Sequence, residues 1–385
     1  MRDVAIVGIG MTPVGEHWQS SLRMLAADAI QSALADAAID KVDALYVGNA
    51  YGPTFSSQSH LGTLIADYIS LSGIEAYTIE AADASGGAAL RAGYLAIASG
   101  VVETALVVGV EKSADTIAGA RIEARSVSLD ADYEAIHGVT LPALAALLMR
   151  RYMHEYGVDL AAFEGFSINA HANGKSNPLA MYRNTLKPGA FVKAPMVADP
   201  VNLFDSAPDA DGAAAVILTA SERAADMVSQ PVQIVGSAAA IDTLTLHDRP
   251  DPLYLSAAAL SAQRAFRQAG LTIADISLFE PHDAFTILTT LALEAIGFAG
   301  RGQGWQFAQS GGSQIGLRGK LPICTFGGLK SRGNPAGAVG LYQAAEATLQ
   351  LRGKAGENQV NGATIVLIQN LGGIGSTAIT HILGV

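Results

Sequence analysis

The run Ser85-Gly86-Gly87-Ala88-Ala89 begins a helical stretch that ends at Gly100, and the apolar run Thr104–Val110 follows it. The run Gly333-Asn334-Pro335-Ala336-Gly337-Ala338 begins a second helical stretch, which the apolar run Thr364–Gln369 follows. Each unit is a turn rich in glycine and alanine, then a helix, then a strand. Two interpretations fit this pattern: an internal repeat, or a chance likeness between two glycine-rich α/β units.

Strand-like and helical runs also alternate on both sides of these two units. The strand-like runs are apolar at nearly every position, as strands covered on both faces should be, and the helical runs have apolar residues at helical spacing. This alternation predicts an α/β fold. Further strands are expected at Val4–Gly8, Ala44–Val47, Ala213–Thr219, Val232–Gly236, Ser277–Glu280 and Ile323–Phe326, and helices at Leu22–Ala37, Ala84–Ser99, Ala257–Ala269, Phe285–Ile296 and Gly337–Arg352.

The composition indicates a large buried core and argues against two classes of partner. Hydrophobic residues make up 50% of the 385 residues, and charged residues only 15%. A net charge of −11 with no run of Lys or Arg argues against nucleic acid or an anionic membrane as the main partner. No apolar run reaches the roughly 18–20 residues that a membrane span needs. The chain begins directly in a strand pattern, with no signal peptide, so we expect a cytoplasmic protein.

The segment of about residues 112–205 interrupts the alternation and is more polar. We predict that it is a loop domain of mainly helical structure, inserted in the first half, where substrate contacts are often found. The predicted domains are therefore residues 1–225, which contain this insertion, and residues 226–385.

Two motifs carry residues suited to acid–base chemistry. The run Glu80-Ala81-Ala82-Asp83-Ala84-Ser85-Gly86-Gly87 places an acid just before a helix, where it either caps the helix or marks a site at which the helix N-terminus stabilises negative charge. The run Phe279-Glu280-Pro281-His282-Asp283-Ala284-Phe285 places a histidine between a strand and a helix, where it is either packed or catalytic.

Two glycine-rich loops are the other candidates. The loop from Phe326 to Gly337 contains Gly327 and Gly328, which either let the backbone approach a ligand or simply form a turn. The run Asn370-Leu371-Gly372-Gly373-Ile374-Gly375 is suited to present backbone N–H groups to an oxyanion. A dinucleotide site is not indicated, because Pro13 stands where the fingerprint after Gly8-Ile9-Gly10 requires its third glycine.

Metal and thiol chemistry have little support in the sequence. The eight histidines show no metal-ligand spacing, so no metal site is expected. The single cysteine, Cys324, lies in a predicted apolar strand and is interpreted as a small buried hydrophobe.

Taken in order, these motifs resemble the thiolase superfamily, and specifically its archaeal-type and sterol-carrier-associated members. The resemblance implies two similar βαβαβ-type halves in a five-layered α/β/α/β/α arrangement, with the inserted loop domain. It also implies coenzyme A thioester substrates, a homodimer or tetramer, a role in lipid metabolism, and a small zinc-ribbon/OB-fold partner protein. Further matching runs are Val42–Asn49, Val108–Lys112, Met196–Pro200, Asp211–Ala215, His282–Phe285 and Gln369–Gly373.

The chain departs from the family pattern at its reactive residues. Asp83 stands where the resemblance implies the nucleophilic Cys, and Asn334 stands where it implies the His of Gly-His-Pro. Asn370 takes the place of the late Cys of classical thiolases, and only His282 remains of the usual reactive set.

These replacements change the expected chemistry. A carboxylate that attacked a thioester would form a mixed anhydride, which lies uphill, whereas an Asn amide still donates an N–H to a thioester oxygen. We therefore expect retro-aldol or related enolate chemistry on a 3-hydroxyacyl-CoA, with Asp83, His282 and Asn334 as catalytic residues. Asn370, Gly372 and Gly373 are expected to form an oxyanion loop, and Gly327 and Gly328 are candidates for coenzyme A binding. Two alternatives stay open: a non-catalytic subunit that binds acyl-CoA or a partner protein, and an atypical acetyl-CoA acetyltransferase.

Overall fold

The structure is a computed structural model that describes residues 2–385, and strands and helices alternate along it. The strands are β1 (Val4–Met11), β2 (Ala44–Gly48), β3 (Glu75–Ile79), β4 (Thr104–Glu111), β5 (Met196–Ala198), β6 (Val201–Asn202), β7 (Gly212–Ala220), β8 (Val232–Ile241), β9 (Leu278–Glu280), β10 (Ile365–Gly372) and β11 (Thr377–Gly384). The helices are α1 (Leu22–Ala37), α2 (Gly52–Phe55), α3 (Leu61–Tyr68), α4 (Ser85–Ser99), α5 (Ala118–Arg125), α6 (Leu141–Tyr156), α7 (Glu164–Gly174), α8 (Ser221–Met227), α9 (Ser256–Ala269), α10 (Thr286–Ile296), α11 (Gln309–Gly312) and α12 (Val339–Leu351).

One nine-stranded sheet runs through the molecule in the order β3-β2-β4-β7-β1-β8-β11-β10-β9. Strand β1 pairs along its length with β7, but it meets β8 only at the pairs Ala5–Gln233 and Ile6–Val232. The sheet therefore has a part from the first half of the chain and a part from the second, joined by a short seam. The pairs of β2 with β3 and β4, and of β9 with β10, are parallel, as crossover connections through helices require.

The helices form three layers around the two parts of the sheet. Helices α4 and α12 contact each other and strands of both parts, so they form the middle layer. Helices α1 and α3 cover the other face of the first part, and α9 covers the other face of the second part and contacts α10. The five-layered α/β/α/β/α fold is confirmed, and it explains why the central strands are apolar on both faces.

Glycines let the two middle helices approach closely at their N-terminal ends. A Cβ added at Gly340 would lie 2.3 Å from the backbone N of Gly87, and one added at Gly86 would lie 2.8 Å from the carbonyl O of Gly337. The two glycine-rich units of the sequence thus meet in one layer, each followed by a strand of its own part of the sheet. Because the two units occupy corresponding positions in the two parts of the fold, the structure favours the internal-repeat interpretation.

The inserted segment between β4 and β7 contains α5, α6, α7 and the β5–β6 hairpin. It packs on the second half of the chain as well as the first, because α6 contacts α10 and α7 contacts the π-helical turn Gly328–Arg332. The expectation that it rests on the first half alone is therefore incomplete. The predicted boundary between residues 225 and 226 falls within α8 and stays a prediction.

One predicted strand is wrong, and two strands of the main sheet were not predicted. At Ile323–Phe326 the backbone turns instead, since Cys324 has a left-handed φ of 50° and only Ile323 forms an isolated bridge, to Phe279. Strands β3 and β11 were missed because polar residues interrupt their apolar patterns. Among residues 2–385, no helix is long and apolar enough to cross a membrane.

Candidate active site

Asp83 lies in the turn before α4 and is almost completely buried. Its carboxylate accepts a hydrogen bond from the Tyr51 hydroxyl (3.0 Å, at Oδ1) and one from Arg125 Nη2 (2.6 Å, at Oδ2). Local bonds in the turn are made by Ser85, whose Oγ accepts from the Ala81 N–H and donates to the Ala82 carbonyl. Asp83 is therefore tied to two distant side chains, and the helix-cap interpretation is not needed to explain it.

Arg125, the last residue of α5, links two carboxylates. One end of its guanidinium pairs with Asp83, the other pairs with Asp209, and the group lies 5.4 Å from the centre of the Tyr51 ring. Burial lowers the pKa of Arg125, but the charges of Asp83 and Asp209 outweigh burial and hold the pKa above its usual value. The Asp83 carboxylate thus has a fully charged partner inside the protein.

His282 follows β9 and is buried beside Asp83, with its Nε2 4.0 Å from Asp83 Oδ2. Neither ring nitrogen has a hydrogen-bond partner among residues 2–385. Burial lowers the pKa of His282, although the charges of Asp83 and Asp283 oppose this shift. The imidazole is therefore neutral near pH 7 and offers one N–H donor and one lone pair.

Asn334 joins this group through Asp209. Its N–H donates to the Pro208 carbonyl (3.0 Å) and its carbonyl accepts from the Ala210 N–H (3.3 Å), which places Asn334 alongside Asp209. The Asn334 side chain is buried, and its Oδ1 has no partner among residues 2–385. Asn334, Asp209 and Arg125 all line one cavity of about 80 Å³, which Thr140, Ser206 and Phe285 help to close.

The structure thus brings Asp83 and His282 together and connects Asn334 to them through Arg125 and Asp209. The sequence analysis missed Tyr51, Arg125 and Asp209. None of the three belongs to a local motif, and no signal in the sequence pairs them with Asp83. The only available hint was the charge of Arg125 inside the inserted segment and of Asp209 just after it, and Tyr51, far from that segment in the sequence, had none.

The predicted oxyanion loop is divided between two environments. Asn370 is completely buried, donates to Gln343 Oε1 and packs on Gly87, where a Cβ would lie 2.3 Å from Asn370 Oδ1. Gly372 lies against the Ala81 carbonyl, 2.5 Å from where its Cβ would be, and Gly373 has a φ of 57°. Of the three residues, Gly372 is the one in contact with the turn that carries Asp83, and the role of the loop as an oxyanion site stays a prediction.

The glycines proposed for coenzyme A binding are buried within the fold. A Cβ on Gly327 would lie 2.8 Å from Gly174 Cα, and one on Gly328 would lie 2.5 Å from Asp283 Oδ2. Asp283 in turn accepts a hydrogen bond from the Leu329 N–H at 2.7 Å. The structure gives both glycines a packing role, and coenzyme A binding at them stays a prediction.

Glu111, at the end of β4, holds the two sides of the site together. Its carboxylate accepts hydrogen bonds from the backbone N–H groups of Ala50 (3.0 Å), Tyr51 (3.3 Å) and Gly337 (3.1 Å). Burial raises the pKa of Glu111 to about 7 in spite of these donors. The segment that carries Tyr51 and the turn after Asn334 are thereby fixed relative to each other.

The single cysteine does not supply a nucleophile. Cys324 is buried, and burial raises the pKa of its thiol well above the usual value, with the charges of Asp283 and Glu280 adding to the effect. A thiol held in its neutral form is a weak nucleophile. Among residues 2–385, no group of His, Cys, Asp and Glu side chains is arranged to hold a metal ion.

Two family profiles match this chain. The profile described as "Thiolase, N-terminal domain" matches residues 4–196, and "Thiolase C-terminal domain-like" matches residues 238–385. The chain belongs to the thiolase family. Its similarity to individual thiolase-family proteins extends over almost its whole length.

Three relatives illustrate this similarity. The chain is 42% identical to "Acetyl-CoA acetyltransferase" from Methanothermobacter thermautotrophicus, with 99% of each covered. It is 30% identical to human "Sterol carrier protein 2", over 99% of the chain and 72% of that protein. The solved structure "Ltp2-ChsH2(DUF35) aldolase" superimposes with a TM-score of 0.86 at 25% identity, over 99% of this chain and 97% of that one.

Proposed function

We propose that this thiolase-family protein binds a 3-hydroxyacyl-CoA and cleaves its C2–C3 bond by a retro-aldol reaction, without a covalent acyl-enzyme. The observation that carries the proposal is the buried pair of Asp83, ion-paired to Arg125, and His282, whose ring nitrogens have no partner. Unpartnered buried polar groups are costly in a folded protein, so the His282 ring calls for a functional or structural reason.

In this reaction Asp83 takes the proton of the 3-hydroxyl group. The electrons of the O–H bond form the C3 carbonyl, the C2–C3 bond breaks, and its electrons pass to the thioester as an enolate. The enolate then takes that proton from Asp83 at C2, which restores the carboxylate and releases a shorter acyl-CoA and an aldehyde or ketone. The Arg125 and Tyr51 contacts hold the Asp83 carboxylate in place for the role of base in the first step.

The developing charge lies on the thioester oxygen, and two side chains are the candidate donors to it: His282, which lies beside Asp83, and Asn334, which lines the same cavity as Arg125. His282 offers a ring N–H, and the Asn334 side chain offers an amide N–H at the wall of the cavity. Donors fixed in a dry environment stabilise an enolate oxygen more than mobile water does. Because His282 is neutral, it supports the enolate without protonating it fully.

The comparisons support this proposal in part. A relative at 42% identity is named an acetyltransferase, and a structure that superimposes closely is named an aldolase. The buried, neutral Cys324 argues against acyl transfer through a cysteine. The name of that aldolase structure contains two proteins, Ltp2 and ChsH2. We therefore also propose that this chain binds a small zinc-ribbon/OB-fold partner protein. We further propose that it forms a homodimer or tetramer and is located in the cytoplasm.

A specific observation favours a second function, that of a non-catalytic subunit. The cavity at Arg125 and Asn334 measures only about 80 Å³, and the Arg125 guanidinium bonds to the Asp83 oxygen that a substrate would need. In this alternative, the protein binds an acyl-CoA or a partner protein and Asp83 serves only to hold α5.

The experiment is to incubate the protein with a panel of 3-hydroxyacyl-CoA thioesters and to analyse the products by mass spectrometry. The retro-aldol proposal requires a shorter acyl-CoA and a carbonyl product, both lost in Asp83→Asn and His282→Gln. Leu147→Ala, at an exposed position of α6, is the control and should keep wild-type turnover. Binding of the thioesters with no turnover by wild-type protein supports the non-catalytic subunit, and an acyl group added to the protein contradicts both.

A further inference from the structure

A second and larger cavity, of about 470 Å³, adjoins the cavity of about 80 Å³ that Arg125 and Asn334 line. Ser206 and Ala207 belong to the walls of both cavities. Apolar and aromatic side chains form most of the larger one, and Leu203 is 56% exposed at its rim. The apolar wall includes Tyr182, Leu186, Val197, Leu203, Phe204 and Pro208.

Lys330 is the charged side chain that reaches this cavity. It belongs to the π-helical turn Gly328–Arg332 and is buried. Its Nζ donates a hydrogen bond to the Asp205 carbonyl and lies 3.7 Å from Asp205 Oδ1. A buried amine at the wall of an apolar cavity is an unusual group, since lysine is rarely buried, and here its ion-pair partner Asp205 is buried with it.

Several titratable groups face the Lys330 amine. Burial lowers its pKa, although the charges of Asp205 and Asp283 would each raise it. His171, also on the cavity wall, has its own pKa lowered by burial. The balance gives Lys330 a larger share of neutral amine near pH 7 than an ordinary exposed lysine has, and the neutral amine is the nucleophilic form.

We propose that Lys330 forms a reversible imine with an apolar aldehyde or ketone bound in this cavity. The Lys330 cavity adjoins the cavity of the proposed retro-aldol site at Ser206 and Ala207, but the inference does not depend on that reaction. The aromatic and aliphatic walls fit the apolar part of such a compound. The two carboxylates near Lys330, of Asp205 and Asp283, disfavour an anionic ligand.

Formation of the imine needs no reagent other than Lys330 and the carbonyl compound. The lone pair of Lys330 Nζ attacks the carbonyl carbon, and a proton moves from nitrogen to oxygen to give a carbinolamine. The nitrogen lone pair then forms the C=N bond as the oxygen leaves in a molecule of water. Addition of water reverses the reaction and releases the carbonyl compound.

The test is reductive trapping of wild-type protein with benzaldehyde and sodium cyanoborohydride at pH 7, followed by peptide mapping. We expect one lysine-bound benzyl group per chain, attached at Lys330 at least about tenfold faster than at any exposed lysine, since ordinary lysines are almost wholly protonated at this pH. Lys112 is an internal comparison, because it is buried but paired with Asp115 at 2.8 Å and Asp211 at 2.9 Å. Labelling spread over the exposed lysines, with Lys330 unlabelled, overturns the proposal.

A matched pair of variants tests the route through the cavity without altering Lys330. Leu203→Trp fills the rim, and Leu147→Trp places the same side chain at a position that is 57% exposed on α6. We expect Leu203→Trp to slow the labelling of Lys330 about tenfold or more and Leu147→Trp to leave it unchanged. Equal labelling of Lys330 in both variants contradicts binding in this cavity.

Discussion

Replacing Arg125 by methionine tests the ion pair on which the site is built. The side chains of Asp83 and Arg125 are 3% and 14% exposed, so the change leaves the Asp83 carboxylate buried with only the Tyr51 hydroxyl as a partner. Breaking a buried pair from one side costs about 3–5 kcal/mol. The lost contact of the guanidinium with the Tyr51 ring adds about 0.5–1 kcal/mol.

Not all of the Arg125 contacts carry this cost. The Asp209 side chain is 24% exposed and is hydrated again once its partner is gone. We therefore expect Arg125→Met to lower the free energy of unfolding by about 4 kcal/mol. Adding Asp83→Asn removes the unpaired charge, so the double variant should recover about 2 kcal/mol of that loss.

The assay is urea unfolding followed by circular dichroism, at pH 7 and one fixed protein concentration. Arg150→Met is the matched control, since the pair of Arg150 with Asp199 has side chains 60% and 66% exposed and should contribute less than about 1 kcal/mol. The buried ion pair of Asp83 with Arg125 is refuted if Arg125→Met lowers the free energy of unfolding no more than Arg150→Met does. It is also refuted if adding Asp83→Asn to Arg125→Met restores none of the lost free energy, since the Asp83 carboxylate is then not held as a buried charge.

Three further outcomes are expected. Mixing with acetyl-CoA should leave the mass of the wild-type protein unchanged. The double variant Asp83→Cys with Asn334→His should become acetylated, because the new thiol lies at the start of α4 and the introduced imidazole can take its proton. A double variant that folds but stays unmodified would argue against the placement of the oxyanion donors. Burial, and next the charge of Glu346, raises the pKa of Glu280 to about 8. The contribution of Glu280 to stability is therefore complete below about pH 4.5 and is lost as the pH rises through about 8. Between pH 5 and 8, the free energy of unfolding of the wild type should fall by up to about 1.4 kcal/mol per pH unit relative to that of Glu280→Gln. Parallel pH curves for the two proteins would show that Glu280 is ionised in the folded protein. Gly340→Ala should destabilise the protein by more than about 2 kcal/mol, because the new methyl group would lie 2.3 Å from the Gly87 backbone; thermal unfolding at the wild-type temperature would contradict the close contact of α4 with α12.

Much of the fold could be predicted because it depends on local patterns. Helix α1 begins and ends at the predicted residues Leu22 and Ala37, and the predicted start of β4 at Thr104 is also confirmed. Burial on both faces leaves a continuous apolar run in the sequence, and burial on one face leaves helical periodicity. The turn at Cys324 was missed because its apolar residues are buried without forming a strand, and hydrophobicity alone does not separate the two.

The short-range patterns of the sequence determined the α/β class, and the resemblance of its motif order to thiolases implied the five-layered arrangement and the candidates Asp83, His282 and Asn334. Only the tertiary structure decided which groups surround Asp83. Arg125 lies 42 residues from Asp83 and 84 residues from Asp209, and no periodicity links residues so far apart. The cavity beside Lys330 is likewise a property of packed surfaces from separate segments. An ion pair or a cavity depends on which side chains meet when the halves of the chain and the inserted segment pack together, and that packing has no local signature in the sequence.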